Sequence, residues 1–239
     1  MKIENNNISF QSKIKFVDYK TFKTKTDHLN PKRHEVGWPW TADTMKTGKN
    51  LFTTGIMDCI AIGIVDGRDI RLGHIATYRH GEAKRNNQKG FKIDNIKRRL
   101  LENINLNNET LHGFILGGFQ LKEGTKYNIN KLRKIIKIFE ENNIPCTIFG
   151  ARKNVHCLGK YALFFSNKED TLYISNNLAD KKTKIRRHPE IDVKENSIEY
   201  NTYNINRTVY DRVRKESGTE EFLKSQFRIV SLCQGDTII

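Results

Sequence analysis

Two apolar runs on either side of a short polar turn form the clearest hydrophobic pattern in the chain. The first run spans residues 60–65, the second spans residues 70–78, and Asp66-Gly67-Arg68-Asp69 separates them. Glycine at the first central position is typical of a two-residue β-hairpin turn. The pattern therefore predicts a hairpin in which Asp66 pairs with Asp69.

Shorter apolar stretches predict further elements. The predicted strands are 14–19, 111–116, 146–149, 161–165, 172–175 and 228–233. The predicted helices are 94–103, 130–142 and a C-terminal stretch that contains Val209, Val213 and Phe222. Strand patterns with interspersed helices are typical of an α+β fold, in which helices pack on mostly antiparallel β-sheets.

The same pattern divides the chain into three parts. Residues 1–50 are predicted to be an irregular N-terminal lead-in, with a loop from Pro31 to Pro39. Residues 51–177 carry most of the predicted strands and helices and form the predicted core. Residues 178–239 are predicted to be a basic C-terminal extension. A chain of 239 residues is long enough to bury a sizeable core in this arrangement.

The net charge of +15 predicts an acidic partner, which is a protein, a nucleic acid or an anionic membrane surface. The positive charges concentrate at residues 84–99 and 181–188, without an RNA-recognition motif or a zinc finger. Solvated helix faces and a basic tail therefore explain the charge better than a dedicated nucleic-acid site. The sequence shows neither a transmembrane stretch nor a signal-peptide pattern at its N-terminus. We expect a cytoplasmic protein, or one delivered into a host cell cytosol by dedicated secretion machinery.

The cysteines do not follow a metal-binding pattern. Cys59, Cys146, Cys157 and Cys233 include no CxxC pair, and their spacings match no zinc site. Reduced and mostly buried thiols of a cytosolic protein are the simplest interpretation. The cysteine spacing therefore predicts no zinc site.

Cys59 and His74 are the candidate reactive residues. If Asp66 pairs with Asp69, Ala61 lies opposite His74, and Cys59 projects from the same face of the hairpin as His74. Their Cβ atoms are then roughly 7 Å apart or somewhat less, a separation that a thiol and an imidazole can bridge. A shift of one residue in register would put the two side chains on opposite faces.

This pair has the chemistry of a cysteine nucleophile and its base. A thiolate attacks a carbonyl carbon, and a nearby imidazole takes up the thiol proton and later protonates a leaving amine. A third group usually holds the imidazole in the reactive tautomer. Thr53 and Asp58 are the candidates for that role, and alternation along the strand favours Thr53. The backbone N–H of Cys59 is a candidate donor to the oxyanion. The alternative is structural, with Cys59 filling the core and His74 serving as an ordinary sheet residue.

The order Thr53, Cys59 and, after a hairpin, His74 resembles the site of the CheD-like glutamine deamidases. That family includes the chemotaxis receptor deamidase CheD, the catalytic domains of cytotoxic necrotizing factors and Burkholderia lethal factor. The strand that ends at Gly117-Gly118 and the later run Gly159-Lys160-Tyr161-Ala162-Leu163-Phe164 are similar to the order of elements in CheD. The resemblance covers about residues 51–177 and implies an α-β-β sandwich.

The resemblance implies a protein-glutamine deamidase with Cys59, His74 and Thr53 as its catalytic residues. Cys59 would attack the side-chain carboxamide, His74 would protonate the departing ammonia, and water would hydrolyse the thioester. The resemblance also implies that no metal ion or organic cofactor is needed. The implied partner is a protein with a target glutamine, and the implied role is that of a bacterial effector or toxin. The positive charge of the chain favours acidic surroundings at that glutamine. The same residues also fit a transglutaminase or a cysteine peptidase. A basic protein that binds nucleic acid or an anionic surface without catalysis is the alternative from a different class.

Overall fold

The computed structural model describes residues 13–37, 45–56, 59–67, 69–75, 93–117, 125–151, 161–176, 219–225 and 227–232. Helices and strands occur together in this part of the chain, and the fold is α+β, which confirms the predicted class. The helices are α1 (Tyr19–Thr26), α2 (Pro31–His34), α3 (Ile93–Leu101), α4 (Thr125–Glu141) and α5 (Glu220–Ser225). The strands are β1 (Lys13–Phe16), β2 (Met45–Gly48), β3 (Asn50–Ile56), β4 (Ile60–Asp66), β5 (Asp69–Ile75), β6 (His112–Gly117), β7 (Cys146–Ala151), β8 (Tyr161–Ser166), β9 (Thr171–Asn176) and β10 (Phe227–Leu232).

The strands form two sheets. The four-stranded sheet has the order β1-β9-β8-β3, and the six-stranded sheet has the order β10-β7-β6-β4-β5-β2. The pairs β1–β9 and β6–β7 are parallel, and the other described pairs are antiparallel. The sheets are therefore mixed but mostly antiparallel, as the alternating patterns predict.

Three hydrophobic cores define the layers. The largest lies between the two sheets, where Leu163 and Phe165 of β8 pack with Leu72 of β5 and Phe114 of β6. A second core lies between the six-stranded sheet and helices α3 and α4. A third forms where α1 places Phe22 against the outer face of the four-stranded sheet. Strand residues alternate between these cores, because successive side chains of a strand point to opposite faces.

The β4–β5 hairpin has the predicted register. Asp66 pairs with Asp69 and Ala61 pairs with His74. Gly67 in the turn has φ of 63°, in the left-handed region that glycine adopts without steric cost. The local sequence therefore determines which residue of β5 lies opposite each residue of β4.

The prediction of an irregular N-terminal lead-in is wrong for its described residues. Strand β1 pairs with β9, β2 pairs with β5, and a helix rather than a loop begins at Pro31. The predicted strand at 14–19 ends at Phe16, and α1 begins at Tyr19 because the Asp18 side chain caps its N-terminus. Helix α1 was not predicted because a helix of eight residues that buries only Phe22 and Thr26 shows almost no hydrophobic periodicity.

The predicted elements in the second half of the chain can also be compared with the structure. Helix α4 begins at Thr125 and not at Asn130, because its first turns lie upstream of the apolar residues that carry the helical pattern. Strand β10 forms at the predicted place and pairs with β7. Val209 and Val213 lie outside the described residues, and Phe222 belongs to α5. Strands from both segments that flank residues 51–177 are thus part of the two sheets.

Candidate active site

A hydrogen bond between Thr53 and His74 joins the two sheets. Thr53 belongs to β3 of the four-stranded sheet, and His74 belongs to β5 of the six-stranded sheet. The Oγ1 atom of Thr53 lies 2.8 Å from Nδ1 of His74, and both residues are fully buried. Residues 21 positions apart in the chain thus meet across the inter-sheet core. Of the two candidates for the third group, the structure brings Thr53 to the imidazole, whereas Asp58 lies outside the described residues.

The direction of the protons follows from the second bond of the threonine. The Thr53 hydroxyl donates its only proton to the backbone carbonyl oxygen of Val36 at 2.9 Å. The same oxygen must then accept the bond from His74, so Nδ1 of the imidazole carries a hydrogen. In a neutral imidazole the proton-accepting nitrogen is then Nε2. This is the tautomer that a base acting through Nε2 requires.

Val36 is held in place by the backbone of β3. Its N–H donates to the carbonyl oxygen of Phe52 at 2.8 Å, and the preceding Glu35 forms an isolated parallel β-bridge with Phe52. The side chain of Val36 is buried in the core between the sheets. No sequence pattern predicts this contribution, because the group involved is a backbone carbonyl that every residue has.

Burial keeps the imidazole of His74 neutral. Desolvation lowers the pKa of His74 from its usual 6.5 to about 4, because the apolar surroundings disfavour the charged form. At neutral pH the ring is therefore uncharged and able to accept a proton.

Cys59 lies at the entrance to the same hairpin. It immediately precedes β4, two residues before Ala61, which pairs with His74. Cys59 is a bend residue outside the strand, and continuing the alternation of β4 by one residue would place it on the inter-sheet side, with Ala61 and Val65. The cysteine is partly exposed to solvent. Of the three predicted site residues, the structure joins Thr53 and His74 by a hydrogen bond, and Cys59 lies next to the strand that pairs with the strand of His74.

A second histidine–threonine pair lies elsewhere between the sheets. His112 Nε2 is 3.0 Å from Oγ1 of Thr147, and burial lowers the pKa of His112 to about 4. Cys146 precedes Thr147 on β7, and its side chain lies on the opposite face of that strand, in the core beside α3 and α4. Burial raises the pKa of the Cys146 thiol well above its usual value, so that thiol is inert. The burial of Cys146 agrees with the expectation of mostly buried thiols.

The other sequence features lie partly beyond the described residues. Cys157, Cys233 and the basic run 181–188 are outside them, as is most of the basic run 84–99. No described group of three or more His, Cys, Asp or Glu side chains has an arrangement that could hold a metal ion. Among the described helices, none has the length and apolar character needed to cross a membrane.

Comparison of the chain with models of known protein families and with curated protein sequences gives no match.

Proposed function

We propose that this protein is a protein-glutamine deamidase in which Cys59 is the nucleophile, His74 the general base and Thr53 the residue that orients the base. The observation that carries the proposal is the chain of hydrogen bonds from His74 through Thr53 to the Val36 carbonyl. That chain fixes the imidazole tautomer at the end of a hairpin whose other strand begins beside a partly exposed cysteine.

The reaction proceeds through a thioester. Nε2 of His74 takes the thiol proton as Sγ of Cys59 bonds to the side-chain carbonyl carbon of the substrate glutamine. The C–N bond then breaks, and ammonia leaves with the proton from His74. A water molecule gives a proton to His74 and attacks the thioester, which releases glutamate as the thiolate takes its proton back. The oxyanion of each tetrahedral intermediate would accept a hydrogen bond from the N–H of Cys59.

The charge of the chain favours a protein substrate with acidic surroundings. A net charge of +15 attracts acidic surfaces and raises the encounter rate with them at low ionic strength. The resemblance to the CheD-like deamidases points to glutamine as the reacting side chain. A role as an effector or toxin inside another cell belongs to the same proposal.

The first test is labelling of the native protein with iodoacetamide across pH, read at each cysteine by mass spectrometry. We expect Cys59 to react fast at neutral pH and to lose this advantage in His74→Ala. Cys146 is the internal control, because its thiol is fully buried. If Cys59 reacts as slowly as an ordinary thiol, the pair is not activated and the proposal is wrong.

The second test identifies the chemistry. Acidic proteins are incubated with the native protein, with Cys59→Ser and with the matched variant Cys146→Ser, and glutamine-to-glutamate conversion is mapped by mass spectrometry. Conversion by the native protein and by Cys146→Ser, but not by Cys59→Ser, supports deamidation. Crosslinking to added primary amines would indicate a transglutaminase, and backbone cleavage would indicate a peptidase.

The alternative from another class is a basic protein that binds nucleic acid or an anionic surface without catalysis. Its support is the net charge alone. It predicts binding to DNA or RNA that weakens steeply as salt is raised. Absence of binding at low ionic strength excludes the nucleic-acid form of this alternative.

A further inference from the structure

The backbone of Gly117 lies directly against the carbonyl group of Cys59. Gly117 is the last residue of β6, pairs with Ile60 and has φ of 116°. A Cβ atom at this position would overlap the carbonyl oxygen of Cys59. It would also lie 3.0 Å from Cγ2 of Ile56 and 3.3 Å from Cα of Ile60. Both the space and the backbone conformation at this position therefore require glycine.

These contacts lie at both ends of the segment that carries Cys59. The chain leaves the four-stranded sheet after Ile56 and enters the six-stranded sheet at Ile60. Cys59 thus belongs to the connection between the sheet that holds Thr53 and the sheet that holds His74. The position of the Cys59 backbone in this connection therefore determines how far its thiol lies from the imidazole of His74.

We propose that Gly117 is a positioning residue for Cys59, an inference that rests on the proposed function. Because Gly117 has no side chain, the Cys59 carbonyl can lie where a Cβ would otherwise be. The orientation of the Cys59–Ile60 peptide is fixed in this way, and with it the direction of the Cys59 side chain. A methyl group at Gly117 would push this peptide away and move the thiol relative to His74.

The test compares Gly117→Ala with a matched variant on the same strand, Gly113→Ala. A Cβ at Gly113 is equally obstructed, but by the ring of Phe139 in the core beside the helices, away from Cys59. Both variants are labelled with iodoacetamide across pH, and Cys146 reports any unfolding. A displacement of about 1 Å can cost on the order of 10²-fold in rate, so we expect a loss of that size at Cys59 in Gly117→Ala. The pH dependence of the Cys59 labelling rate should also shift in Gly117→Ala, whereas Gly113→Ala should keep the pH dependence of the native protein.

The outcomes separate this inference from the proposed function. If Cys59 of the native protein is not activated, the proposed function fails. If Cys59 is activated in the native protein and labels at the native rate in Gly117→Ala, or labels equally slowly in both variants, only the role of Gly117 is overturned.

If labelling of Cys146 shows that Gly117→Ala is unfolded, the pair Ile56→Ala and Leu51→Ala tests the inference instead. Both shorten buried residues of β3, and Ile56, unlike Leu51, supplies one of the three atoms nearest to a Cβ at Gly117. Slower labelling of Cys59 confined to Ile56→Ala supports the inference, and equal rates overturn it.

Discussion

At the scale of single residues, Thr53 combines two properties that position 53 requires. Its β-branched side chain is well suited to a buried strand. Its hydroxyl donates one hydrogen bond, to the Val36 carbonyl, while accepting another from His74. A carboxylate in this place would accept two bonds but donate none, and burial without a paired cation would be costly. Threonine therefore orients the imidazole without adding charge to the core.

Thr53→Val tests this role, because valine keeps the shape and removes the hydroxyl. The Val36 carbonyl and the Nδ1–H of His74 would lose their partner, at a cost of about 1–3 kcal/mol in the free energy of unfolding for each group left unsatisfied. We expect labelling of Cys59 to slow by about 10²-fold or more, since the imidazole is no longer held in the reactive tautomer. Thr53→Ser retains the hydroxyl and is the control. Equal labelling rates in the two variants would exclude an orienting role for Thr53.

At the scale of elements, the β4–β5 hairpin determines which side chains can meet. Its register places Ala61 opposite His74, and Cys59 immediately precedes the first residue of β4. Two features specify the register. The turn at Gly67 fixes the pairing of Asp66 with Asp69, and the side chains on the two faces of β4 differ in size and pack in different cores. A slipped register would exchange the two faces.

Substitutions at Gly67 separate these two features. A Cβ at Gly67 meets no atom within 4 Å, so the cost of Gly67→Ala comes from the left-handed backbone alone. We expect a loss of about 1–2 kcal/mol in the free energy of unfolding by urea, and a smaller loss in Gly67→Asn, since asparagine tolerates this conformation. Cys59 should label at the native rate in both, because side-chain packing keeps the register. A large loss of Cys59 labelling would show that the turn alone holds the register.

At the scale of the whole molecule, two uncharged imidazoles lie in the part of the inter-sheet core that the structure describes. His74 and His112 lie on the same side of the six-stranded sheet, and burial lowers the pKa of each from 6.5 to about 4. Each is hydrogen-bonded to a threonine. Both rings are therefore neutral in the resting protein at neutral pH, and protonating either of them in the folded state is unfavourable.

Acid should therefore destabilise the fold. Between pH 6.5 and about 4 the unfolded chain binds protons at these histidines and the folded chain does not, so the free energy of unfolding falls as pH falls. Across this pH window, each imidazole lowers the free energy of unfolding by up to about 3 kcal/mol. Below about pH 4 neither imidazole lowers it further, because both are then protonated in the folded and the unfolded chain. Urea unfolding at pH 7.5 and 5 measures the effect. In His112→Gln, the decrease in the free energy of unfolding between pH 7.5 and pH 5 should be smaller by the contribution of one imidazole. An unchanged loss in that variant would mean that His112 titrates normally.

Sequence alone determined the hairpin, its register and the α+β class. Those features depend on residues close together in the chain, where turn chemistry and a period of two act directly. The two short helices α1 and α2 and the early start of α4 could not be predicted in this way, because they carry little apolar periodicity. A strand at 14–19 could be predicted from its alternation, but its place in the four-stranded sheet is decided by pairing with the distant β9.

The same distinction applies to the candidate site. The sequence named Thr53, Cys59 and His74, but the contact between Thr53 and His74 exists only because two different sheets face each other. The proton of the threonine is directed by a backbone carbonyl at Val36, and the carbonyl of Cys59 lies against a backbone surface at Gly117. Neither group has a side-chain signature. Contacts between residues far apart in the chain are set by the packing of whole layers, so only the tertiary structure decides them.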